Sequence, residues 1–119
     1  MKRINGTMAL VAMGIALGSH AHAATLYTAN AAALGETMYC DVVNTTNKPV
    51  AVVVDAMISG SVYLSSGPLT LQPNQAASSP GNDNGYCRFT VTGSKRSVAA
   101  MAVFSRNDNN HYTSVRPAQ

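Results

Sequence analysis

The chain has 119 residues, of which 46% are hydrophobic and 11% charged, with 8 Lys+Arg against 5 Asp+Glu and a formal net charge of +3. That length accommodates a single domain with an adequate but modest core. The positive balance does not indicate a nucleic-acid partner: Lys2 and Arg3 open a leader-like segment, and Lys48, Arg88, Lys95, Arg96, Arg106 and Arg116 are scattered rather than gathered into a stripe.

Residues 1–23 read as a cleaved signal peptide. Lys2 and Arg3 provide the positive start, Thr7 to Leu17 the apolar run, and Ala21-His22-Ala23 the small residues that a signal peptidase inspects, which places the cut between Ala23 and Ala24. The run is about half the roughly 20 apolar residues a spanning helix needs, so no stable membrane insertion is expected after cleavage. Alanine rather than cysteine at position 24 argues against a lipid anchor, and Lys2-Arg3 is not a twin arginine. The leader has a bacterial look, and the expected location is periplasmic or secreted, with residues 24–119 as a single domain.

The periodicity of the domain is two. Thr25 to Thr28 forms a short first strand, and the alanine-rich Asn30 to Leu34 is either extended or a single helical turn. From Glu36 to Thr45, Met38, Cys40 and Val42 share one face, with Tyr39, Asp41 and Val43 on the other. Val50 to Met57 is a run of Val and Ala interrupted by Asp55, which faces away from Val52 and Val54 as an outward carboxylate. Ser61 to Ser65 and Pro68 to Leu71 are shorter segments, the second bounded by Gly67 and Pro73 as an edge or crossover. Between Gly85 and Thr92, Cys87, Phe89 and Val91 alternate against Arg88, Thr90 and Thr92. Val98 to Phe104 is apolar throughout, and His111 to Arg116 follows a polar turn at Asn107 to Asn110, so the last three segments read as two successive hairpins.

Two cysteines in a small exported domain are most economically one disulfide, Cys40 to Cys87; two buried thiols or an intermolecular bond are the alternatives. Inward-facing cysteines on an early and a late strand resemble the second-to-sixth-strand bridge of immunoglobulin-like domains. Seven or eight short strands separated by turn clusters in under 100 residues argue for an all-β, antiparallel β-sandwich of about seven strands, and the resemblance implies an immunoglobulin-like architecture with one inter-sheet disulfide. It departs from the antibody pattern in lacking any tryptophan and in carrying Gly85, not tyrosine, two residues before Cys87.

The inventory for chemistry is thin. His111 is the one histidine after the leader, so neither a zinc set nor a triad can be assembled, and no catalytic residue, metal or cofactor is assigned. Asp83 and Asp108 sit in Asn-rich loops whose side chains explain turns without calcium. Ser65-Ser66-Gly67 and Ser78-Ser79-Pro80 lack a nucleophile elbow, Gly93-Ser94-Lys95 lacks the upstream glycine of a phosphate loop, and Asn44-Thr45-Thr46 matches a glycosylation acceptor by accident. The five tyrosines, Tyr27, Tyr39, Tyr63, Tyr86 and Tyr112, serve a core or a contact face. The expected interaction surface comprises Asn82, Asp83, Asn84, Lys95, Arg96, Tyr39 and Tyr63, with loops at one end of the sandwich meeting an unknown protein or envelope component. Three roles are open: a non-catalytic binding module, a structural subunit of a fimbrial or coat-like surface assembly joined by strand addition, and a periplasmic hydrolase inhibitor. The oligomeric state is not written in the sequence.

Overall fold

The computed structural model describes residues 23–32, 36–106 and 112–119, all of them in strands, turns or connecting segments apart from one 3-10 turn. The leader before Ala23, residues 33–35, the expected polar turn at Asn107 to Asn110 with Asp108, and His111 lie outside the described residues. The strands are β1 (Ala23–Tyr27), β2 (Ala31–Ala32), β3 (Glu36–Asn44), β4 (Val50–Ile58), β5 (Ser61–Leu71), β6 (Ala76–Pro80), β7 (Asn84–Thr92), β8 (Val98–Arg106) and β9 (Tyr112–Pro117). The expected cleavage bond, Ala23–Ala24, falls at the first residue of β1.

Two antiparallel sheets pack face to face. The first has the order β1-β7-β4-β5, with β2 extending the β1 edge along β7; the second has the order β6-β3-β8-β9. Strict alternation supplies the core between them. On β3, Met38, Cys40 and Val42 are buried while their odd-numbered neighbours are half-buried, and on β7 Cys87, Phe89 and Val91 are buried in the same way. In β8 the composition left the register open; the structure turns Val98, Ala100, Ala102 and Phe104 inward. Cys40 and Cys87 form the inter-sheet bridge, with Cα atoms 5.7 Å apart.

The sandwich and its bridge match the sequence reading, but the connectivity is more involved. β7 and β8 are not a hairpin: β7 lies in the first sheet, and β8 pairs with β3 in the second. The chain crosses between sheets at Gly93 to Ser97, where Gly93 has a φ of +104° and the Ser94 side chain accepts a hydrogen bond from the Arg96 N–H, forming the short 3-10 turn. Only β8 and β9 form the second expected hairpin. Within the alanine-rich segment, Ala31 and Ala32 are extended and pair with Gly85 and Asn84, while Ala33 and Leu34 lie outside the described residues. β6, built from Ala, Ser and Pro, has no counterpart among the strands expected from periodicity; small side chains carry little periodic signal, and its pairing with β3 sets it.

One lateral side of the sandwich is closed. The Tyr27 N–H donates to the Gln119 carbonyl at 3.0 Å and the Gln119 N–H returns to the Tyr27 carbonyl at 3.1 Å, while the Ala118 N–H donates to the Ala100 carbonyl. The segment after β9 is thereby tied to both sheets. On the opposite side β5 and β6 are the terminal strands of their sheets.

Close approach fixes the residue at Gly85. Its φ is +124°, a region L side chains avoid, and an added Cβ would overlap the Met57 carbonyl on β4. Gly85→Ala should therefore lower stability by about 2–3 kcal/mol, read as a fall in the urea midpoint with an unchanged m-value. An unchanged midpoint would mean that β4 and β7 do not meet this closely.

A candidate interaction surface on the open side

The β4–β5 hairpin turns through Ser59 and Gly60, both at positive φ (51° and 81°), as expected for a two-residue turn of type I′. Beyond the turn, β5 departs twice from regular pairing. Val62 pairs with Met57 and Leu64 with Ala56, which leaves Tyr63 as an extra residue with no ladder partner on β4. A second shift lies between Ser65 and Pro68, where the Ser66 Oγ accepts the Val54 N–H at 2.9 Å. Ser61-to-Ser65 and Pro68-to-Leu71 are thus one bent edge strand rather than two segments.

The first of these bulges presents Val62, Tyr63 and Leu64 to solvent, with 48, 55 and 43% of their surfaces exposed. Three consecutive large apolar side chains in water are not required by the core, which is satisfied from the opposite faces of β4 and β7. The same region is free of charge. No Asp, Glu, Lys or Arg occurs from Ala56 to Asn82, a stretch that contains both terminal strands β5 and β6. Sequence reasoning could have found this surface from that uncharged stretch, which a residue-by-residue search for chemistry passes over.

The outer face of the first sheet continues from this edge. Register places Met57 level with Val62 on one side and Tyr86 on the other, and Asp55 level with Ser65 and Arg88. Tyr27 lies opposite Arg88, and its ring centroid is 6.3 Å from that of Tyr86. Asp55 is outward-facing as expected but only 4% exposed. Arg88 covers it, donating from Nε and Nη2 to Oδ2 at 3.1 and 2.8 Å. The hydrogen bond to Asp55 raises the Arg88 pKa above its ordinary value, against a smaller opposing effect of desolvation. The guanidinium therefore stays charged at every physiological pH.

The structure divides the expected interaction residues. Met38 and the Asn82 loop are joined by hydrogen bonds, from the Met38 N–H to the Asn82 carbonyl and from the Gly81 N–H to the Met38 carbonyl, so Tyr39 and Asn82 to Asn84 lie at one end of the sandwich. Tyr63, next to the Ser59-Gly60 turn, belongs to that end too, since Ile58, Ser59, Asn84 and Gly85 line one pocket with Asn30. Lys95 and Arg96 do not join them. They follow the far end of β7, a nine-residue strand about 30 Å long. Tyr39 is half-buried on the outer face of the second sheet, between Pro80 and Val103.

The remaining motifs are structural. Asn44 is fully buried: its Nδ2 donates to the Lys48 and Leu71 carbonyls and its Oδ1 accepts from the Thr46 N–H and hydroxyl, so in the folded protein it is no glycosylation acceptor. The Ser78 hydroxyl donates to the Asp41 Oδ1. The pocket at Gly85, of about 170 Å³, is lined by no His, Cys, Asp or Glu, and no metal-binding cluster occurs among the described residues. Its volume is well below the 300 Å³ or more typical of small-molecule sites. No family model matches the chain, and no curated protein or solved structure matches it either.

Removing the guanidinium would leave a buried carboxylate with its counterion gone. Arg88→Gln should cost about 3 kcal/mol, the low end for breaking a buried pair because Arg88 keeps part of its surface in water. Asp55→Asn should cost less, since the freed guanidinium can turn to solvent. Chemical denaturation of the two variants checks the order, and an equal or reversed ranking would contradict the burial of Asp55.

Proposed function

We propose that the protein is an exported, non-catalytic β-sandwich module, acting in the periplasm or outside a bacterial cell, that recognises a protein or envelope component through its β5 side. The observation that carries this reading is the exposed run Val62-Tyr63-Leu64 on a terminal strand. Unpaired strand edges offer backbone donors and acceptors to a partner, and apolar side chains on the edge add affinity. Natural edges that must avoid contact carry charges, prolines or bulges; this one has bulges at Tyr63 and at Ser66-Gly67 and a proline at Pro68, but no charge, and its first bulge leaves Val62, Tyr63 and Leu64 exposed.

The compartment rests on two supports. A disulfide that spans the core persists in an oxidising environment, and residues 1–23 have the layout of an export leader. A second reading, a structural subunit of a surface assembly, is favoured by the presence of two terminal strands, β5 and β6, on one side. Its usual donor segment, an alternating apolar strand near the start of the domain, is poor here: Leu26 is the one buried side chain with an apolar anchor in β1.

The test is the intact mass and elution volume of the protein purified from an exporting bacterial host. A chain starting at Ala24, about 2 Da lighter than its reduced form, and eluting as one or two copies is expected. A retained leader or free thiols would overturn the compartment, and a large assembly would favour the structural subunit.

A further inference from the structure

The exposed edge has a symmetry that names its occupant. Ser61-Val62-Tyr63-Leu64-Ser65 reads polar, apolar, aromatic, apolar, polar in either direction, and all five residues are exposed. An antiparallel partner centred on Tyr63 and carrying the same sequence would set Tyr63 against Tyr63, Val62 against Leu64 and Ser61 against Ser65. Aromatic pairs, β-branched or aliphatic pairs and hydroxyl pairs are each favourable across strands. A two-fold contact brings the same edge of both copies together, so charges of one sign on that edge would lie close to one another. An edge without charges escapes the repulsion that normally prevents self-pairing.

We infer that β5 pairs with β5 of a second copy of this chain about a two-fold axis at Tyr63, which joins the first sheets of the two molecules into one continuous sheet. This deepens the proposed function, whose β5 contact surface it uses. Tyr63 has no ladder partner on β4, so the bulge of one copy meets the bulge of the other. The ladder stops where Ser66 is engaged with Val54, Gly67 adopts a φ of +67° and Pro68 offers no N–H. Because both copies use the same edge, the assembly closes at two and does not grow. A five-residue ladder lies below the area of a standard interface, so dissociation in the range of roughly 10 μM to 1 mM is expected.

The test is sedimentation velocity of the purified, disulfide-bonded protein across that concentration range, with amide hydrogen exchange on the same samples. A reversible monomer–dimer equilibrium is expected, with slower exchange at Val62 to Ser65 as concentration rises. Tyr63→Lys should weaken the dimer at least ten-fold, and mixing Tyr63→Lys with Tyr63→Glu should restore a mixed dimer. Thr70→Lys adds the same charge on exposed β5 surface beyond Pro68 and should leave the equilibrium within two-fold. All three substitutions are at exposed positions, and unchanged thermal unfolding confirms that each variant is folded. A monomer throughout, a dimer indifferent to Tyr63→Lys, or growth beyond two copies overturns the inference. A strict monomer that starts at Ala24 and keeps its disulfide would overturn the self-pairing alone, whereas a retained leader would overturn the exported-module reading whatever the association state.

Discussion

The bond between Cys40 and Cys87 joins the middle of one sheet to the middle of the other. Cys40 sits on β3, flanked by β6 and β8, and Cys87 on β7, flanked by β1 and β4. A domain this small buries a limited apolar core, much of it Val and Ala, so holding the sheets in register cannot be left to bulky side chains. Among the described residues, Phe89 and Phe104 are the large fully buried rings, one on each side of the interior. With the sheets pinned at the centre, the two lateral sides can differ: the Gln119 contact with Tyr27 closes one, and β5 and β6 stay open on the other.

Much of this fold is legible in the sequence because alternation is a local signal. Met38-Cys40-Val42 and Cys87-Phe89-Val91 announce their inward faces without reference to any partner. What was not legible depends on distant partners. The crossing of β8 to the second sheet is decided by its long pairing with β3, and a polar turn at Gly93 to Ser97 looks the same whether it makes a hairpin or a crossover. β6 is a strand because β3 offers it an edge, not because Ala76 to Pro80 favours one.

The spatial grouping of the candidate surface residues was partly legible. The loops at Asn82 to Asn84 and at Lys95-Arg96 were expected at one end, but the direction of β7 separates them, and it is Tyr63 that lies at the Asn82 end. Asp55 illustrates the same limit. Its outward parity is local, whereas its burial comes from Arg88, 33 residues away, which only the β4–β7 register brings alongside. The uncharged stretch from Ala56 to Asn82 gains meaning once β5 and β6 are known to be terminal strands on one side.

The inter-sheet bridge is what keeps so light a core folded. This role is tested most directly by reversible urea unfolding of the oxidised protein beside the Cys40→Ala, Cys87→Ala double variant. Opening a loop of 47 residues should cost about 4 kcal/mol through the entropy returned to the unfolded chain, with the midpoint lowered accordingly. A double variant as stable as the oxidised protein would contradict the account and assign the union of the sheets to packing alone.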